Sequence, residues 1–170
     1  SSFIKHDYNL EIIYATLVSW DMNSRRAKMK YFDDFKENIL QITNKLEKLW
    51  RRRLEEVDDF ETMLGVISEI YDKLHVMNTG GKLVSNSKLL HFIFPDLLMP
   101  MDRSNTLVYF YKYTNESKKQ YLDIIRWSYD MARKTDIDWP KYLDDKWNAT
   151  LPKVLDNAII IRNDKSVKKI

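Results

Sequence analysis

The chain of 170 residues has no cysteine, three glycines and four prolines. Without cysteine there is no disulfide, no thiolate metal site and no thiol nucleophile, and a reducing compartment suits the chain. So few glycines leave little for a phosphate-cradling loop. The stretch Thr79-Gly80-Gly81-Lys82 lacks the first glycine and the spacing of a P-loop, and Leu83 and Val84 after it are the wrong chemistry. No serine stands in a Gly-x-Ser-x-Gly elbow. The three histidines, His6, His75 and His91, are far apart and lack metal-ligand spacing, so neither a metal nor a cofactor is implied. No apolar run reaches the ~20 residues that cross a bilayer, and no charged-then-apolar segment opens the chain. The expectation is a soluble, cytoplasmic protein with no membrane partner.

What is present is apolar and aromatic. A hydrophobic fraction of 44% with 31% charged residues belongs to a globular chain, and five Trp, ten Tyr and seven Phe should fill much of its core. The net charge of +3 is unevenly placed. Residues 162 to 170 carry four cations against one acid, which accounts for all of it and leaves the body neutral. Residues 1–162 are therefore expected to form a single helical domain and residues 163–170 a basic flexible tail. A neutral body disfavours strong non-specific nucleic-acid binding by the folded part. Any such affinity is expected from Arg25, Arg26, Lys28 and Lys30 together with Lys165, Lys168 and Lys169.

The dominant period is helical. Phe35, Ile39, Ile42, Leu46 and Leu49 recur at three and four, as do Phe60, Met63, Leu64, Ile67, Ile70, Tyr71 and Leu74. A first helix follows Asp7, a late one begins near Ser117, and two more start where proline is tolerated in a first turn, in "DWPKYLDDKW" and "TLPKVLDNAIII". No stretch alternates as a strand does, so the fold class is all-α, one globular domain of about six to eight helices.

Charge and aromatic runs have ordinary explanations. "RRR" at 51–53 before an acidic stretch reads as a solvated helix end and the start of the next helix. The run "YFYKY" at 109–113 is able to stack bases, but core packing is the preferred reading, since a helix buries about half of such a run and leaves the rest half-exposed.

The segment "KLVSNSKLLHFIFPDLLMPMDRSNT" at 82–106 reads as a short helix capped by Ser85 or Ser87 and ended by Pro95, then a proline-stiffened turn, then a helix capped by Asp102. Packing alone does not explain Lys88 in that apolar helix. In the last helix an unpaired Asp156 carboxylate would be costly, and the planar fork of Arg103 is the expected partner.

The pieces "TLVSWDM", "KLVSNSKLLHFIFPDLLMPMDRSNT" and "TLPKVLDNAII" resemble an uncharacterised family of soluble bacterial and archaeal proteins. The matching positions are Trp20, Met22, Lys82, Ser87, Lys88, His91, Pro100, Asp102, Arg103, Thr106, Pro152, Lys153, Asp156 and Asn157. Asp21 replaces the usual Gly, and Asn105 stands where the family has Tyr. A more distant similarity is to the helix-hairpin-helix DNA glycosylases, in which a catalytic Lys follows a glycine hairpin and a catalytic Asp stands at a later helix start. Lys88 and Asp102 come in that order, with Val84 and Asn86 in place of the hairpin glycines. Two readings follow: a non-catalytic binding module for a protein or nucleic-acid partner, with Trp20, Ser87, His91, Arg103, Thr106, Lys153, Asp156 and Asn157 as motif residues; or a DNA glycosylase or lyase that uses Lys88 and Asp102. In the second, the amine attacks C1′ of a nucleotide while the carboxylate steadies positive charge on the sugar.

Overall fold

Among the described residues the three-and-four spacing of apolar residues resolves into eight α-helices: α1 (Asp7–Leu17), α2 (Phe32–Gln41), α3 (Thr43–Glu47), α4 (Phe60–Lys73), α5 (Leu83–Ile93), α6 (Val108–Tyr111), α7 (Lys118–Ala132) and α8 (Leu151–Asn163). The computed structural model describes residue 4, residues 6–22 (21 and 22 for backbone only), 28–78, 80–134 and 136–163. Among them there is no strand, only an isolated antiparallel bridge between Met29 and Met77. No helix among the described residues is long and apolar enough to cross a membrane.

Starts and stops follow local chemistry. Asp59 Oδ1 accepts from the Thr62 N–H at 3.1 Å ahead of α4, and Ser117 Oγ accepts from Gln120 N–H at 3.2 Å ahead of α7. The stripe from Phe35 to Leu49 divides at Ile42, whose backbone leaves helical geometry (φ −109°, ψ 7°), into α2 and α3. A wide π-helical segment, Arg103–Leu107, leads into α6. It is closed by the Leu107 N–H reaching the Asp102 carbonyl five residues back at 3.1 Å.

Two expectations need correction. The helix expected in "DWPKYLDDKW" is only a 3-10 turn, Trp139–Tyr142. Asp144 Oδ1 collects the amides of Lys146, Trp147 and Asn148 at 2.7, 2.6 and 3.1 Å, a side-chain turn that competes with helix propagation. Nor do Ser85 and Ser87 cap α5, because both lie inside it. The cap comes from Glu116, which lies 33 residues beyond Leu83. Its Oε2 accepts from the Leu83 N–H at 2.8 Å and the Val84 N–H at 3.4 Å, while Oε1 accepts from Arg103 Nε at 2.6 Å. Gly81 allows this approach, since a Cβ there would come within 3.3 Å of Glu116 Oε2 and 3.4 Å of the Arg103 guanidinium.

The core joins α4 to α7. Phe60 stacks on Tyr129 at 4.1 Å between centroids, Tyr71 meets the fully buried Tyr121 at 5.0 Å, and Arg126 grips Glu61 with two nitrogens outside them. Leu10, Leu17, Phe35, Ile39, Ile67, Ile70, Leu89 and Leu90 are excluded from water, each such side chain contributing about 1.5–3 kcal/mol by burial. α5 packs against α1 and α7, and α8 packs against both α7 and the π segment.

The Glu116 carboxylate is 7% exposed, and its removal strands two helix-start amides and one guanidinium. Glu116→Ala is expected to lower stability by about 2 kcal/mol. Arg103→Ala, with a side chain 51% exposed, should cost under about 1 kcal/mol. Urea unfolding of the three proteins checks the order; equal losses would show that the ion pair, not the cap, holds α5.

Candidate functional site

Lys88 lies in the second turn of α5, with buried Ser87 and Leu89 beside it. Ser87 Oγ accepts from the Met101 N–H at 3.0 Å, and the His91 ring shares a hydrogen with the Leu98 carbonyl at 2.7 Å. These two contacts fold the proline-bounded turn back on α5 and bring Pro100, Met101 and Asp102 next to Lys88. Burial holds the His91 imidazole below its usual pKa, so it stays neutral and donates to that carbonyl. Its role is to hold the turn.

Asp102 is fixed from three directions. Its Oδ1 accepts from the Asn105 N–H at 2.6 Å, its Oδ2 from the Asn105 side-chain amide at 3.0 Å, and its own N–H donates to Thr106 Oγ1 at 3.0 Å. Thr106 is fully buried and belongs to this scaffold.

From the other side α8 contributes Lys153 and Asp156, one turn apart and joined by a hydrogen bond of 2.6 Å from Nζ to Oδ2. Arg103 is not the partner of Asp156: it is turned outward to Glu116. The i,i+3 spacing makes Lys153 the nearer cation, and the cap of α5 claims Arg103. Asn157 donates to the Trp147 carbonyl and to Asn148 Oδ1, both at 2.8 Å, and so ties down the preceding loop.

The result is one pocket of about 190 Å³ walled by Trp20, Lys88, Pro100, Met101, Asp102, Lys153, Asp156 and Ile160. Trp20, 40% exposed, is held by Phe92 at 4.5 Å, and the Lys88 ammonium lies over its ring at 5.4 Å from the centroid. Two amines and two carboxylates line this pocket together with the indole, and their formal charges sum to zero. Burial pushes the Asp156 carboxyl above the usual carboxylate range; the Lys153 hydrogen bond opposes this, Asp102 adds to it and Lys88 opposes it.

Of the other candidates, Lys28 and Lys30 flank the Met29–Met77 bridge and do not line this pocket. Arg25, Arg26, Lys165, Lys168 and Lys169 lie outside the described residues. Val84 and Asn86, at the places of the hairpin glycines, are both helical, and the amides of Leu83 and Val84 are taken by Glu116. Among the described residues no group of three or more His, Cys, Asp or Glu could hold a metal ion. Sequence reasoning missed Met101, Glu116 and Ile160. Ile160, four residues after Asp156 on the same helix face, was within reach of a periodicity argument. Comparison of the chain with protein-family models, with curated proteins and with solved structures finds no match.

A raised carboxyl pKa in the folded state means that ionised Asp156 weakens folding at neutral pH and that this penalty fades on acidification. Asp156→Asn should keep the hydrogen bond from Lys153 and lose that dependence. The wild type is therefore expected to gain stability relative to Asp156→Asn as pH falls from about 7 towards 4. Comparing the two proteins cancels the opposite trend of the two histidines whose pKa is lowered, His91 by burial and the exposed His75 by partial desolvation and the nearby Lys82 and Lys30. Thermal midpoints across that range test it; a constant difference would mean that Asp156 titrates normally.

Proposed function

We propose that the protein is a binding module whose pocket at Trp20 takes one unpaired nucleobase of a single-stranded nucleic acid. The observation that carries the reading is the convergence of Trp20, Lys88, Asp102, Lys153 and Asp156 on a single small pocket. At about 190 Å³ it lies below the ~300–1,000 Å³ of pockets that enclose a whole drug-sized ligand, so it suits one group of a larger partner. Its charges cancel, which suits a group that is itself neutral. A base has an apolar face for the indole and an edge of mixed donors and acceptors for the amines and carboxylates.

The test is fluorescence anisotropy of a labelled single strand with the full chain. Trp20→Ala should weaken binding about tenfold, since stacking is worth ~1–3 kcal/mol per base. Lys88→Gln should weaken it less, and a duplex of the same sequence should bind worse than the strand. Equal affinity of wild type and Trp20→Ala would overturn the reading.

A second reading is favoured by one observation, that Lys88 and Asp102 line the same pocket. On that reading the Lys88 amine attacks C1′ of an opened abasic sugar and water leaves to form an iminium, which the Asp102 carboxylate steadies. Borohydride would deliver hydride to this iminium and leave a stable secondary amine. Duplex DNA with an abasic site should then give a covalent adduct that disappears in Lys88→Ala. No adduct, or equal adduct in both proteins, removes the lyase reading and leaves the binding module untouched.

A further inference from the structure

A second cavity, an open groove of about 530 Å³, is walled by Tyr109, Phe110, Lys112, Trp127, Arg162 and Asn163. Its composition differs from that of the Trp20 pocket. Three rings and two cations line it, and no carboxylate does. Phe110 meets Tyr109 edge-on at 4.9 Å and Trp127 edge-on at 5.0 Å, so the rings hold one another in place while remaining only partly buried. The Arg162 guanidinium lies over the Tyr109 ring at 5.9 Å.

Lys112 supplies a separate observation. It follows α6 with a left-handed backbone (φ 63°, ψ 11°), the conformation that glycine or asparagine usually supplies at a helix end. A long cationic side chain in that place is costly to folding, and because the residue is exposed, burial does little to offset the cost. What it does is hold an ammonium at the rim of the groove, with Nζ at 3.2 Å from the Tyr109 carbonyl.

We propose that this groove is a second binding site, for one nucleotide unit of a single-stranded nucleic acid: the base against Phe110, Trp127 and the Arg162 plane, and its phosphate between Lys112 and Arg162. Flat rings beside fixed cations, with no acid among them, match a ligand that joins a π face to a negative charge. The groove also lies along the path from the first pocket. Asp156, Ile160 and Asn163 recur at four and three on one face of α8, the first two lining the Trp20 pocket and the third lining the groove. Seven residues of helix rise about 10 Å, a distance that a few nucleotides of extended strand cover. Asn163 Nδ2 donates to the Asn105 carbonyl at 2.9 Å, and the Asn105 side chain holds Asp102, so the two sites share one scaffold. The inference rests on the reading of the Trp20 pocket only in sharing its partner.

The experiment measures binding of a fluorescein-labelled strand of about twelve thymidines to the full chain at several salt concentrations. Each neutralised phosphate contact contributes ~0.7 to the slope of log affinity against log salt. Lys112→Gly and Arg162→Gln should each lower affinity about fivefold at low salt and reduce that slope by ~0.7. Lys112→Gly should at the same time raise the thermal midpoint, because glycine accepts the left-handed backbone without strain. Trp127→Ala should weaken binding and Trp127→Phe restore most of it. Trp20→Ala should leave the contribution of Lys112 to the slope unchanged, which separates failure of the first site from failure of this one. Unchanged affinity and slope in Lys112→Gly and Arg162→Gln, or no binding at about 20 mM salt, would overturn the proposal. Displacement of the strand by an equimolar free mononucleotide would also overturn it, by showing a site for a small metabolite instead of a strand.

Discussion

One carboxylate organises this molecule. Glu116 enters the start of α5, accepts from the amides of Leu83 and Val84, and holds the guanidinium of Arg103 with its other oxygen. A helix start is a place of unpaired donors and partial positive charge, and burial of that end without a partner would be expensive. By bridging α5 to the segment that follows Asp102, Glu116 sets the distance across which Lys88 and Asp102 face the same pocket. It also fills the spot where a helix N-terminus would otherwise attract a phosphate. An anion at the start of α5 would find those amides taken, and among the described residues cationic side chains line cavities instead: Lys88, Lys153, Lys112 and Arg162, with Arg51 and Arg52 beside Asp96 in a smaller cavity.

α8 is the second organiser, and its two faces do different work. Leu151, Val154, Leu155 and Ile159 are buried against the body, while Lys153, Asp156, Ile160 and Asn163 face the cavities. Asp156 is the residue where the two roles collide. It is buried enough for ionisation to be disfavoured, yet it keeps a cation at 2.6 Å that favours the charged form. Such a carboxyl responds to whatever is placed beside it, because a small change in local polarity moves the balance between the two opposing effects.

Much of the fold was legible because helix periodicity is a local signal. The spacing of Phe60, Met63, Leu64, Ile67 and Ile70 located α4, and Ser117 located the start of α7. Some residues of the Trp20 pocket, namely Trp20, Lys88, Asp102, Lys153 and Asp156, also stand out in the sequence; the order of Lys88 and Asp102 suggests one site for those two, but nothing joins them to the other three. What stayed hidden depends on contacts across long separations or on competition between similar local options. Glu116 acts on residues more than thirty positions earlier, so no window of sequence contains both partners. Arg103 and Lys153 were both able to answer Asp156, and the choice was made by Glu116. Around Trp139, the apolar spacing suited a helix, but Asp144 offered three amides a closer acceptor.

The π segment at Arg103–Leu107 carries one residue more per turn than an ordinary helix. That extra residue lets the chain leave Asp102, place Thr106 in the core beneath it and still enter α6 with Tyr109 and Phe110 turned towards the groove. The register of both cavities is therefore stored in chain length. A descendant that lost a single codon here, even one specifying the exposed Ser104, would rotate everything downstream by about a quarter turn. Every functional group would survive such a deletion, but those after the segment would lose their place against Trp20, Lys88 and Asp102 before it, so length here matters as much as the identity of the side chains around it.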